Sequence, residues 1–168
     1  MPNSIVIRLK PAFVDERGDI TNVLRSDVPL VHVGCSRTKA GVRRSDHYHP
    51  EGTEFLLLEE GAYEQWSKKV PGFNNVITTN ISSSEDLAVL INGKQIAHFK
   101  KGEYELQQEF NFENGVEKRK ITAKSLIITP PGTAHAMLFS KDSLFLWFTP
   151  KARGSAEGYA DTLPFKEW

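Results

Sequence analysis

The chain has 168 residues, enough for one domain with a substantial core. Its 21 Lys and Arg residues balance 21 Asp and Glu, which speaks against a general nucleic-acid binder, and no run approaches the ~20 apolar residues of a membrane-spanning helix. A single cysteine, Cys35, excludes an intrachain disulfide and suits a reducing compartment.

The opening residues, MPNSIVIRLK, lack the long apolar run and cleavage-like site of a signal peptide, so a cytoplasmic location is expected. From there, short runs rich in β-branched and aromatic residues alternate with turn signals. SIVIRL, DITNVL and LVHVGCS read as strands. EFLLLEE and AYEQWS follow, with Gly61 between them as a hairpin corner. VPGFNNVITTNISSS reads as a long loop, and SSSEDLAVL admits either a strand or a short helix capped by Ser84. Asn92-Gly93 and Asn114-Gly115 sit between further strand-like runs, and Asn-Gly favours the type I′ hairpin turn. Pro130-Pro131-Gly132 separates SLIITP from HAMLFS, and SLFLWF closes the series. The tail from Lys151 reads as irregular but docked, through Leu163, Phe165 and Trp168. Many short strands without a convincing amphipathic helix predict an all-β sandwich or barrel.

The chemistry concentrates in RRSDHYHPEGTEF, Arg43 to Phe55. Strand side chains alternate faces, so His47 and His49 share one face, about 6–7 Å apart, a spacing that lets two imidazoles converge on one metal. Pro50 and Glu51-Gly52 then break the strand, and Glu54 opens a new one with Leu56 and Leu58 on its face. His135 follows the Pro-Gly turn and shares a face with Met137 and Phe139. Three imidazoles and one carboxylate suit one divalent transition ion, such as zinc, iron, manganese or nickel, with coordination positions left open. The bland alternative is a solvated His-x-His pair.

These residues resemble the two motifs of the cupin superfamily. Gly41, His47, His49, Glu54 and Gly61 reproduce the first motif with its spacing, and Pro130, Gly132 and His135 match the second. Lys124 and Phe139 stand where the second motif has Gly and Asn. The resemblance implies a single jelly-roll β-barrel (double-stranded β-helix) over residues 1–168, with an insertion around 68–122 between the motifs.

VDERGDITNVL and then CSRTKAGVRRSDHYH are similar to the opening of sugar-modifying cupins: the dTDP-4-keto-sugar epimerases and ketoisomerases and, more closely, the C-terminal cupin domain of capsular polysaccharide reductases. That resemblance implies metal-assisted epimerisation or isomerisation of a nucleotide-linked keto-sugar through an enediolate. The metal-free epimerases of the group use a His–Asp pair as base, and no such pair is assigned here. A small anionic substrate would lie against Met137 and Phe139. Its diphosphate would meet Arg44, aided by Arg37 or Lys39, since Arg offers phosphate a bidentate fork. The same basic run, with Arg43, also reads as gatekeeper charges on a strand edge. Two other functions stay open: an iron-dependent dioxygenase of a small acid or thiol, and a non-catalytic small-molecule-binding cupin. Neither a nucleic-acid nor a membrane partner is expected. Phe55, Trp66, Phe110 and the tail suggest pairing into a homodimer. His32 and His98 read as ordinary strand residues, Cys35 as a small buried hydrophobe, and Phe145 and Trp147 as core, interface or pocket wall.

Overall fold

The computed structural model describes residues 2–150 and 161–168. Among them there is no helix, and the strands run in chain order as β1 (Ile5–Leu9), β2 (Phe13–Asp15), β3 (Gly18–Ile20), β4 (Arg25–Ser26), β5 (His32–Thr38) and β6 (Arg43–Tyr48). β7 (Glu54–Glu60), β8 (Ala62–Lys69), β9 (Ile77–Ile81), β10 (Leu87–Ile91), β11 (Lys94–Phe99) and β12 (Tyr104–Gln107) follow. The last are β13 (Asn111–Glu113), β14 (Val116–Thr122), β15 (Ser125–Thr129), β16 (Thr133–Phe139), β17 (Ser143–Thr149) and β18 (Leu163–Pro164).

Two six-stranded antiparallel sheets form the body. The first has the order β12-β1-β15-β7-β17-β5 and the second β13-β14-β8-β16-β6-β18. Their facing sides bury one apolar cluster: Val6, Leu56, Leu58, Ile127 and Phe145 from the first sheet meet Tyr63, Ile121, Met137 and Phe139 from the second. This is the all-β jelly roll that the strand pattern and the motif resemblance predict.

A third layer covers the first sheet's other face. β9, β10 and β11 form an antiparallel meander edged by β4. It buries Ile77, Leu87, Val89, Ile96, Ala97 and Phe99 against Ile5, Ile7, Phe55, Leu57, Leu126 and Ile128. Covering on both faces explains the apolar runs Ile5-Val6-Ile7 of β1, Phe55-Leu56-Leu57-Leu58 of β7 and Leu126-Ile127-Ile128 of β15, all of them buried, while Arg8 and Glu60 reach water towards the strand ends. β8, partly solvated on one face, instead alternates half-buried and buried positions from Ala62 to Lys68 before Lys69 reaches water.

The turn chemistry separates two kinds of corner. Asn92 and Gly93 have φ of 51° and 79°, and Asn114 and Gly115 have 51° and 78°, the left-handed pair that a type I′ hairpin needs. Gly61, in contrast, is no hairpin corner. β7 and β8 do not pair with each other; they lie in different sheets, so the chain turns there from one sheet to the other. VPGFNNVITTNISSS is also not all loop, since β9 lies within it and pairs with β10 through five residues. Cys35 is exposed rather than buried, because β5 is a sheet edge and the meander does not reach its outer face. Phe55, expected at a surface between copies, is fully buried within its own chain by that meander.

Candidate active site in the jelly roll

β6 carries two of the histidines, and its geometry decides what faces inward. Its register against β16 slips by one residue: His135 pairs with His47, but Ala136 pairs with Ser45. Asp46 is the extra residue, and Ser45 and Asp46 both hold positive φ, 74° and 55°. This β-bulge shifts the in–out phase of the strand. Arg44, three residues before His47, would point away from it on an unbroken strand. The bulge turns Arg44 to the same face, opposite Met137. Arg43 consequently faces outward, where Asp46 accepts from its guanidinium and Trp66 and Trp168 flank it.

His47, His49, Glu54 and His135 converge, with one candidate ligand atom from each lying within 4.8 Å of the others. His49, Glu54 and His135 are buried, and His47 is half-buried. Glu54 sits between two imidazoles: His49 Nε2 is 3.1 Å from Oε2 and His135 Nε2 is 3.1 Å from Oε1. Burial pushes the Glu54 carboxyl up, but the charges and hydrogen bonds of His135 and His49 outweigh it and hold the group well below the usual carboxylate range. Nearby, burial and the Glu54 charge push the Tyr63 hydroxyl well above its ordinary value; it stays protonated and donates to Gln65 Oε1 at 3.1 Å.

The far side of His49 fixes its tautomer. Nδ1 lies 2.7 Å from the Asp161 carbonyl oxygen, which can only accept, so Nδ1 carries the proton in a neutral ring. Nε2 is then a lone pair aimed at a carboxylate oxygen 3.1 Å away. Two acceptors at that separation repel unless a cation lies between them, and that cation is either a second proton or a metal. Metal bonds of about 2.1 Å meeting at right angles put neighbouring ligand atoms about 3 Å apart. The donor set and its spacing thus fit a divalent transition ion.

Beside the cluster opens a pocket of about 160 Å³, lined by Ser36, Arg44, Ser45, His47, Glu54, Leu56, Met137, Phe145 and Trp147. Trp147 forms a wall by lying flat over Gly34; a Cβ on Gly34 would come within 2.1 Å of the indole, so only glycine allows this approach. Arg44 stays exposed at the mouth while its Nε donates to Thr38 Oγ1 at 2.7 Å.

Not every residue expected here arrives. Arg37 is exposed on the face of β5 opposite Ser36 and Thr38, and Lys39 is exposed in the turn that follows, so neither lines the pocket. Phe139 lies beneath the wall, packed between Tyr63 and Phe145 with centroids 5.2 and 5.7 Å away, and is 3% exposed. The apolar wall is Met137, Leu56, Phe145 and Trp147. Ser36 was discoverable from the alternation in HVGCSRT once an inward face was known; Asp161 left no local signal. Of the bland histidines, His32 lies 6.5 Å from the Trp147 ring and His98 pairs with Asp27 at 3.0 Å, both outside the pocket.

No family model and no curated protein matches the chain. Solved structures do. The dTDP-4-dehydrorhamnose 3,5-epimerase from Sulfolobus tokodaii superposes with a TM-score of 0.59 at 19% identity, covering 98% of this chain and 78% of that one. The fold is the RmlC-like cupin jelly roll. The RmlC epimerase of Legionella pneumophila, solved with dTDP-4-keto-L-rhamnose, gives 0.61 at 12% identity over 99% of this chain and 74% of its own length. The sugar 3,4-ketoisomerase QdtA of Thermoanaerobacterium thermosaccharolyticum, solved with TDP, gives 0.56 at 12% identity over 96% and 87%. At these identities the likeness carries the fold alone.

Proposed function

We propose that this cupin is a metal-dependent sugar-modifying enzyme that epimerises or isomerises a nucleotide-linked keto-sugar. The observation that carries the reading is the pairing of the His47, His49, Glu54 and His135 cluster with a pocket that has Arg44 at its mouth. The structural neighbours that bind dTDP-sugars or TDP support the substrate class.

A divalent ion held by these four side chains would supply positive charge beside the sugar carbonyl, where negative charge grows as a neighbouring proton leaves. The protein does the rest. Pockets that enclose a whole drug-sized ligand hold about 300–1,000 Å³. At about 160 Å³ this one takes the reacting sugar alone, and the nucleotide would lie across the mouth. Leu56, Met137, Phe145 and Trp147 keep water from the reacting carbons. Arg44, tethered at Nε by Thr38, presents its remaining donors to the diphosphate.

A homodimer and a reducing, cytoplasmic setting go with this reading. Val33, on the outer face of the edge strand β5, is 57% exposed and Val31, just before that strand, is 62% exposed; Phe13, Val14 and Ile20 are exposed on the β2–β3 hairpin. A second copy would cover such surfaces. A sedimentation experiment that finds only monomer at every concentration removes the dimer from the proposal.

The enzyme reading is tested by metal analysis of the purified protein, followed by calorimetric titration of a panel of nucleotide sugars. Bound metal and micromolar binding of at least one nucleotide sugar are expected. Metal without nucleotide-sugar binding, together with oxygen consumption on a small acid or thiol, would favour a dioxygenase instead.

A further inference from the structure

Asp161 is a buried group that the proposed chemistry leaves unexplained. It is 7% exposed, and it lies 112 positions from the histidine it holds. Its carboxylate accepts from two backbone amides, Glu51 N at 2.9 Å and Gly52 N at 3.0 Å. Those amides belong to the turn that separates His49 from Glu54. Its own carbonyl oxygen accepts from His49 Nδ1 at 2.7 Å. The fit is close: a Cβ on Gly52 would stand 2.5 Å from Asp161 Oδ2. One residue therefore clamps the backbone between two cluster members and sets the proton on one of them.

The segment that carries Asp161 is itself anchored along β6. Leu163 and Pro164 pair with Tyr48 and His47, and Phe165 N donates to Asp46 O, at the bulge, at 2.8 Å. Phe165 is buried at 6% exposure. Trp168 packs edge-on against Phe165 at 5.0 Å and against Trp66 at 6.3 Å. Lys68 Nζ donates to the Glu167 carbonyl at 2.6 Å.

We infer that the docked C-terminal segment is a positioning device for the site, in which Asp161 holds the Glu51-Gly52 turn and the Nδ1-protonated form of His49, while Phe165 and Trp168 latch the segment to the outer face of β6. The inference rests on the metal-binding reading in one respect only: the predicted loss of metal affinity. Second-layer partners that orient a metal-ligating histidine are commonly worth ten- to a hundredfold in affinity.

The test uses the full chain, stripped of metal and titrated with zinc alone against a competing chelator. The imidazole nitrogens are followed in parallel by heteronuclear NMR. Asp161→Ala keeps the main-chain carbonyl but loses the carboxylate that pins the residue to the Glu51-Gly52 turn. It is expected to weaken zinc binding about ten- to a hundredfold and, with the carbonyl no longer held against Nδ1, to replace the single Nδ1–H form of His49 by a mixture of tautomers. Asp161→Asn, which retains one acceptor oxygen for the turn, should recover part of both. Phe165→Ala should act in the same direction by a smaller factor. Val89→Ala, which loosens the core on the far side of the first sheet, is the control for general destabilisation and should leave zinc affinity unchanged. Unaltered affinity and tautomer in Asp161→Ala overturn the inference, and so does an equal loss in Val89→Ala. If the wild type takes up no zinc, the metal reading falls. The positioning role is then decided by the tautomer alone, and an unchanged His49 in Asp161→Ala overturns it.

Discussion

Two buried carboxylates, Glu54 and Glu117, lie on opposite sides of the same sandwich and at the same level, since Ser67 of β8 pairs with His135 on one flank and with Glu117 on the other. Glu117 is closed off. Arg119 donates to its Oε1 at 2.7 Å, and the Asn3 amide donates to Oε2 at 2.6 Å. Arg119 in turn donates to the carbonyls of Gln107 and Ser4 at 3.0 and 3.2 Å, and the two side chains are 3% and 0% exposed. The countercharge there is covalently part of the chain and permanently ionised. It welds the start of β1 to β14 and β12. Glu54 meets imidazoles instead, whose charge depends on a bound proton, beside a pocket that admits a ligand. A buried carboxylate with a fixed partner holds structure; one with an exchangeable partner is available for chemistry.

The largest expected effect lies on the closed side. Arg119→Ala leaves Glu117 charged, buried and without its cation, which costs about 3–5 kcal/mol. For a chain of this size that lowers the thermal midpoint by about 6–20 °C, read by calorimetry, with zinc uptake by the folded fraction unchanged. Replacing Arg119 and Glu117 together by Met and Leu should restore much of the loss, as a removed pair strands no charge.

Glu54→Gln should behave in the opposite way. It is expected to weaken zinc binding by more than about a hundredfold, or about 2.7 kcal/mol, while the metal-free protein unfolds near the wild-type midpoint. A Glu54→Gln protein as destabilised as Arg119→Ala, from a wild type that takes no metal, would erase the distinction and make both clusters structural.

At the mouth, Arg44→Ala should weaken nucleotide-sugar binding roughly ten- to a hundredfold, equivalent to about 1.5–3 kcal/mol for a charge-assisted contact. Metal content should stay intact. Arg37→Ala and Lys39→Ala, whose side chains do not line the pocket, should leave that affinity within about twofold in calorimetry, as expected of surface changes. An equal loss in all three would mean that general surface charge, not a placed guanidinium, attracts the ligand.

The smallest effect concerns the corner between β14 and β15 on the closed side. Lys124 holds φ +67° there, and its amide and carbonyl are bound to Leu58 O and Leu9 N. The second cupin motif has glycine at this position. Lys124→Gly relieves the left-handed strain and should raise stability by about 1 kcal/mol in denaturant unfolding, less whatever the more flexible unfolded chain takes back.

Much of this protein is written locally. His47, His49 and Glu54 lie within eight consecutive residues, so strand alternation and one proline-glycine break suffice to bring them together. The Asn-Gly hairpins are equally local, because two residues with left-handed backbone preferences carry the turn. His135 could be added because its turn and strand repeat the pattern. Other features depend on what lies alongside a strand. Alternation predicts faces only while the phase holds, and the bulge at Ser45 and Asp46 breaks it, sending Arg44 inward and Arg43 outward. Which face of β5 is inside depends on the neighbouring sheet, and so therefore does the fate of Arg37 and Cys35. Phe55 is a surface aromatic in a two-layer sandwich and a core residue once β9, β10 and β11 cover it. Asp161 reaches His49 across 112 positions of sequence. Its local sequence carries no trace of that contact, because the energy of a backbone clamp belongs to the pair of distant segments and not to either one alone.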